Sequence, residues 1–348
     1  MSDPISGPAV SAAKHDVSPA WSRTGVLLLA HGAPDRLEDI PEFVLRVRGG
    51  RPLPEKAVKE ISDRYEKIGG GSPLLRITSL QACGLASALN SPNGRRRGPQ
   101  GGLIPVLVGM RNWKPFVPDS VRQLAALGVE RIIAICLAPQ NSRTSIGLYR
   151  KHLSEARQKT APHVQVDFVE SWHDQPELIA AFQEKISRAF SLIEVPPQAE
   201  RAVPVILTAH SVPARTIGAG DPYQRQVRET AARVAKGLDL RDWCVAFQSQ
   251  GITEEPWIGP TVESQIDRLA AAGRTHVLIC PVGFVSDHME VLYDIDVAFK
   301  EYGATRGVTV HRAESLNDSP LFVKALETLV RSRFSASSVN SSTHPASS

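Results

Sequence analysis

Short β-branched apolar runs alternate along the chain with longer segments of helical period. GVLLLAH (25–31), LIPVLVGM (103–110), ERIIAICLAP (130–139) and VQVDFVES (164–171) predict strands in the first half. VPVILTAH (203–210), WCVAFQSQ (243–250), THVLICPVGF (275–284) and GVTVHRAE (307–314) do so in the second. Several are apolar at every position, as strands covered by helices on both faces are. Between them, 119–128, 176–194 and 262–273 repeat their apolar residues at helical spacing. Gly128 and Gly273 follow the last periodic residue, where helix C-caps stand. Repeated βα units predict an α/β fold of parallel sheets flanked by helices.

The pattern also repeats itself. LLLAHGAPD (27–35) and VILTAHSVPA (205–214) both carry A-H-x-x-P at a strand end, and LAALG (124–128) and LAAAG (269–273) each precede an apolar strand. Two landmarks in the same order predict a duplication, hence two similar α/β domains with a cleft between the carboxyl ends of their strands. The spacing is longer in the first half, which predicts an insertion. Its natural place is the polar, basic segment 46–74.

Composition narrows the classes. The 348 residues are 42% hydrophobic and 22% charged with a net charge of +4, a globular composition long enough for two domains. That charge and 6% aromatics give no support to nucleic-acid binding. No apolar run approaches the ~20 residues of a membrane span. The four cysteines are far apart, so no CxxC or iron–sulfur run exists, and Cys136 and Cys280 lie in apolar strands, as buried thiols of a cytoplasmic protein do. Residues 1–23 lack the apolar stretch of a secretory signal and, like 335–348, read as a Ser/Pro/Ala-rich disordered end.

Two places carry candidate chemistry. His210 ends an apolar strand, at the sheet edge where α/β proteins place ligands; it either serves a ligand there or bonds a loop carbonyl. Ser211 beside it is not in a G-x-S-x-G elbow, which argues against a hydrolase. The second place is GFVSDHMEVLYDID (283–296). On one α-helix, Asp287, Glu290 and Asp294 would share a face, with His288 on another. Asp287 and Glu290 could be a helix N-terminal box, but Asp294 extends the acidic stripe beyond it. Clustered carboxylates raise one another's pKa and make useful proton acceptors, and with a histidine they suit a loosely held first-row divalent metal. Arg95–Arg97 read as solvated loop charge. The GGGS nest (69–72) lacks the lysine of a P-loop. Arg48, Arg51 and Arg64 with Tyr65, in the insertion, are surface charge or a set of guanidinium partners for an acidic ligand.

Together these residues resemble the ferrochelatase family, whose members insert ferrous iron into a porphyrin. RYEKIGGGSPL (64–74), VLVGMRNWKPF (106–116), AHSVP (209–213), FQSQ…PWIGP (247–260) and PVGFVSDHMEVLYDID (281–296) carry the resemblance over nearly the whole folded region. It implies two Rossmann-like domains with four-stranded parallel sheets, the first 24–172 plus 316–334 and the second 173–315, with a last helix (about 317–333) packed back on the first. It implies that His210 and Glu290 handle the metal, Asp287 and Asp294 relay protons, and His31, Arg48, Arg64, Tyr65, Ser72 and Tyr149 contact the porphyrin. Iron would be substrate, with no organic cofactor. His31 stands where some relatives have a Tyr that ligates product iron, and Asn112 where some have His. The tail has no Cys, so no iron–sulfur cluster is expected, and the insertion has no long apolar lip. These departures favour coproporphyrin III over protoporphyrin IX, and a cytoplasmic monomer with at most peripheral membrane contact. The alternatives are a cobalt or nickel tetrapyrrole chelatase, or a haem or tetrapyrrole carrier without catalysis.

Overall fold

A computed structural model describes residues 23–91, 103–194, 203–251 and 255–340. The leader up to residue 22, Arg95–Arg97 and the final residues 341–348 lie outside the described residues. All the strands expected from the pattern form: β1 (Thr24–Ala30), β2 (Val106–Met110), β3 (Arg131–Cys136), β4 (Gln165–Val169), β5 (Val205–His210), β6 (Trp243–Gln248), β7 (His276–Cys280) and β8 (Thr309–Arg312). They make two four-stranded parallel sheets, ordered β2-β1-β3-β4 and β6-β5-β7-β8. The identical order is the structural form of the internal repeat.

The helices are α1 (Ile40–Val47), α2 (Glu55–Lys67), α3 (Leu74–Asn90), α4 (Val117–Ala126), α5 (Ile146–Thr160), α6 (Pro176–Leu192), α7 (Ala214–Gly218), α8 (Tyr223–Gly237), α9 (Val262–Ala271), α10 (Met289–Tyr293), α11 (Lys300–Ala304) and α12 (Pro320–Asn340). Gly128 and Gly273 take φ of +79° and +73° just past α4 and α9, the left-handed conformation that lets the chain turn into the next strand. Strand alternation sorts the side chains into layers. Val26, Leu28 and Ala30 of β1 and Leu278 and Cys280 of β7 face one core that runs through α3, α6, α8 and α12 of both lobes. Leu27 and Leu29 face an outer layer with α4 and α5, and Val277 and Ile279 face another that includes α9 and α10. The lobes therefore share one apolar interior, and α12 packs on both α3 and α6. That helix runs to Asn340, past the expected end, because SASSVN holds no Gly or Pro to stop it.

Two expectations need correction. The acidic stripe does not ride on one α-helix. Asp287 and His288 precede α10, and at Asp294 the chain widens into a π-helical turn, Asp294–Phe299, that leads into α11. Tyr65, expected against the porphyrin, is 2% exposed. It closes a small core with Ile40, Phe43, Val44 and Trp113, against which Met289 of the second lobe packs. The amphipathic pair α1/α2 cannot bury its apolar face otherwise.

Gly283 shows how tightly the edge of the second sheet is built. A Cβ there would lie 2.5 Å from the Ala209 Cβ and 2.7 Å from its Cα, beside His210. Gly283→Ala should therefore destabilise the protein by about 1–3 kcal/mol in urea unfolding, the usual cost of overpacking. The adjoining strand end should move with it; an unchanged urea midpoint would contradict this packing.

Candidate active site

Three histidines are held the same way. His210, the last residue of β5, donates from Nδ1 to the Ser211 carbonyl at 2.5 Å. His31, just past β1, donates from Nδ1 to the Gly32 carbonyl at 2.9 Å. His288, at the start of α10, donates from Nδ1 to the Ser286 carbonyl at 2.9 Å. Each ring thus has its Nε2 free of backbone and turned to a side-chain partner. The first two follow from A-H-x-x-P at the end of a parallel strand, where the chain leaves the sheet and exposes its next carbonyl.

Glu290 lies between two of these rings. Its Oε1 is 3.5 Å from His210 Nε2 and its Oε2 3.7 Å from His288 Nε2. The His210 and Glu290 side chains keep 35% and 33% of their surface open although they sit deep between the lobes. Burial opposes charge on both, but each stabilises the other's ion. His210 is raised to about 9 by the Glu290 carboxylate against the pull of burial, and His288 is raised for the same reason. Glu290 is held well below the carboxylate range by the two imidazoles, although burial pushes it up. Its place in the first turn of α10 adds the favourable end of the helix dipole.

Hydrogen bonds from Ser249 and Gln248 fix Asp294 nearby. Ser249 takes φ of +59°, an uncommon conformation for a residue with a side chain, and donates its hydroxyl to Asp294 at 2.5 Å. Thr208 donates to the Gln248 Oε1 at 2.6 Å, and the Gln248 amide donates to the Glu290 carbonyl at 2.8 Å and to Asp294 at 3.4 Å. Burial raises Asp294, Glu290 adds to the rise, and Ser249 and Arg64 oppose it. Asp287 makes none of these hydrogen bonds and acts on the group only through its field at His288. Arg312 bridges it at 3.0 Å to Asp296 at 2.8 Å, and Asn317 holds its other oxygen. Its expected relay position is thus spent on anchoring the loop before α10.

From the other lobe, His31 stands within electrostatic reach of Glu290 and His288. Its Nε2 accepts from the Asn112 amide at 2.9 Å. Burial and the nearby Arg111 lower it to about 4, so this ring is neutral where His210 is charged. Arg64 lies 5.3 Å over the Tyr293 ring, facing the second lobe. Arg48 and Arg51 are exposed on the α1–α2 turn and each donates to the other's carbonyl. Ser72 is buried, its hydroxyl accepting from the Leu74 N–H at the start of α3. The Tyr149 ring is buried beneath Arg111. The residues that sequence reasoning missed are Gln248, Ser249 and Arg111, the first two in the motif FQSQ without a spacing that announces them; His288, set on another face of a helix, instead reaches Glu290.

Among the described residues no three His, Cys, Asp or Glu side chains enclose a metal ion. The His210–Glu290 pair is instead a partly open imidazole–carboxylate pair with the Asp294 carboxyl near it. Two repeated α/β lobes of this kind are the fold of solved chelatases. SirB from Bacillus subtilis, solved with Fe3+, shares this fold at a TM-score of 0.55 and 12% identity, over 91% of this chain and 97% of that one. The sequence is more specific. Residues 23–334 match the family model described as Ferrochelatase. The chain is 43% identical to a ferrochelatase of Acidobacterium capsulatum over 94% of this chain and 99% of the relative. It is 36% identical to a coproporphyrin III ferrochelatase of Geobacillus thermodenitrificans over 90% and 97%. The chain belongs to the ferrochelatase family, lyases that insert a metal ion into a porphyrin.

The paired charges make stability depend on pH. His210 is raised in the folded state to about 9, so its contribution is complete below the unfolded value near 6.5 and is lost as pH rises through 9. Glu290 is depressed, so its contribution is present above its unfolded value and lost as pH falls through its folded one. The melting-temperature advantage of metal-free wild type over Glu290→Gln should therefore shrink between pH 6.5 and 9. A difference constant across that range would show that the two groups are not ion-paired.

Proposed function

We propose that this protein inserts Fe2+ into coproporphyrin III, with His210 and Glu290 as the metal post and Asp294 as the outlet for protons. The observation that carries the reading is the ionised Glu290 held between two imidazoles at the edge of the second sheet, opposite a neutral His31. Metallation exchanges one Fe2+ for two pyrrole protons. The ion displaces the proton that His210 holds in the metal-free site. Once it passes into the ring, His210 and Glu290 are free bases and each takes one pyrrole proton. Asp294, raised by burial, then carries protons toward solvent. Positioning and electrostatics supply the rate, and no organic cofactor enters.

The choice of porphyrin draws on two supports. Several relatives at 34–36% identity are named coproporphyrin III ferrochelatase. Arg48 and Arg51 of the insertion have no carboxylate within salt-bridge distance among the described residues, and Arg64 lies on the Tyr293 ring, which suits a tetracarboxylate. No helix of the described residues is long and apolar enough to cross a membrane. The reading takes the protein as a cytoplasmic monomer.

An anaerobic assay with coproporphyrin III and protoporphyrin IX side by side, and with Fe2+, Co2+ and Ni2+ as metals, tests it. Wild type should metallate coproporphyrin III with Fe2+ fastest. Glu290→Gln should bind porphyrin within about threefold of wild type but lose at least ~100-fold in turnover, since it removes proton acceptance and not the pocket. Faster turnover with protoporphyrin IX would overturn the porphyrin assignment, and binding without turnover by wild type would leave a carrier.

His31 has a second part in this reading. In it, His31 ligates the iron of the product through Nε2 once that atom leaves the Asn112 amide; the reading is supported by the neutral ring's electrostatic reach to Glu290 and His288. His31→Ala should then change the iron spin state in the visible spectrum of the product complex and speed product release. An unchanged spectrum and release rate would remove that role and leave the His210–Glu290 post untouched.

A further inference from the structure

Half-buried arginines in this protein have partners. Arg131 and Arg333 meet Asp167, Arg274 meets Asp242, Arg312 meets Asp287 and Asp296, Arg331 meets Glu327, and Arg157 donates to backbone carbonyls. Arg111 is the exception among the described residues. It is half-buried, and its guanidinium has neither a carboxylate nor a carbonyl within reach. Its one contact is the Tyr149 ring, 5.1 Å from the guanidinium carbon. A cation withdrawn from water with no counter-charge is costly, and a fold keeps one where a ligand brings the anion.

Its position says which anion. The Arg111 N–H donates to the Ala30 carbonyl at 3.0 Å, and the Asn112 N–H to the His31 carbonyl at 3.0 Å, so the β1 and β2 ends are laced together and Arg111 is fixed beside His31. The guanidinium lowers the affinity of His31 for a proton, so its field reaches into the cleft. The Tyr149 ring 5.1 Å away gives the guanidinium a cation–π neighbour while leaving its N–H groups without a hydrogen-bond acceptor, and a guanidinium suits bidentate capture of a carboxylate. The exposed arginines of the insertion, Arg48, Arg51 and Arg64, lie elsewhere, on the α1–α2 turn and on α2.

We propose that Arg111, stacked on Tyr149, is an inner carboxylate subsite that receives a propionate present on coproporphyrin III and absent from a dicarboxylate porphyrin. The proposal rests on the coproporphyrin reading for the identity of the ligand, and on the unpartnered guanidinium for the site. In this arrangement the insertion serves the carboxylates at the mouth, and Arg111 reads the inner edge of the ring. A porphyrin without a carboxylate there leaves Arg111 uncompensated, so the subsite both favours the tetracarboxylate and disfavours its rival.

The test is equilibrium binding, followed by fluorescence quenching, of coproporphyrin III and of deuteroporphyrin IX, a dicarboxylate with hydrogens at two ring positions. Wild type, Arg111→Gln and Arg111→Lys are compared, with circular dichroism and melting as controls for folding. Arg111→Gln should weaken coproporphyrin III by about ten- to hundredfold, the worth of one charge-assisted hydrogen bond, and deuteroporphyrin IX by less than about threefold. Arg111→Lys should recover part of the loss, because the charge remains while the fork geometry is gone. Equal losses for the two porphyrins, or no loss for either, would overturn the proposal. The iron-insertion assay separates this from the reading beneath it: wild type that turned over only protoporphyrin IX would refute the coproporphyrin assignment, whereas the binding ratio alone decides Arg111.

Discussion

A carboxylate cannot stay ionised between two packed lobes unless something nearby is positive, and the form of this site follows from that constraint. Glu290 meets it with His210 from β5 and His288 from the turn before α10. The arrangement needs β5 and β7, neighbours in the second sheet, to end at one place. It also needs both histidines to spend Nδ1 on backbone carbonyls, so that Nε2 is the atom left to face the acid. A single imidazole would give weaker compensation, and a lysine or arginine would hold the carboxylate without being able to release it as a base at neutral pH.

The lobes are kept in register by polar contacts as well as by their common core. Gln81 of α3 donates to Ser286 and to the Asn317 carbonyl, both at 2.8 Å, beside the loop that leads to Glu290. Gln140 reaches the Val282 carbonyl and Thr230, and Asp221 accepts from the Arg143 N–H at 2.7 Å. Such bonds are directional, so they fix how the lobes face each other in a way that apolar packing does not. The loop that carries Glu290 is therefore tied to the first lobe, and the inserted helices α1 and α2 meet the second lobe through the small core around Tyr65 and Met289.

The asymmetry of the two walls gives the site its direction. Histidines in equivalent places of the repeat have opposite character, because His210 faces a carboxylate and His31 faces Arg111 and an amide. One wall carries the His210–Glu290 ion pair; the other carries a neutral imidazole beside a guanidinium with no carboxylate partner among the described residues. A duplicated fold has become two different surfaces through the few residues that follow each strand.

Much of this is legible in the chain. Alternating apolar runs and helical spacing specify the strands and helices, because burial of a covered strand demands apolar residues on both faces. The twin A-H-x-x-P places two histidines at strand ends, and the acidic run after β7 marks Glu290. The sequence does not reveal the π-helical turn at Asp294, which breaks the i, i+3, i+7 face and separates Asp287 from Asp294. It does not show that Tyr65 closes a core, since an aromatic among charges reads equally as surface. Nor does it show which cations lack partners: Arg111 looks like any arginine until Asp and Glu from distant segments are seen to pair with the others. Local pattern settles what depends on a residue and its near neighbours, the element and its buried face. Electrostatic pairing depends on distances between segments far apart in the chain, and only the folded structure sets those.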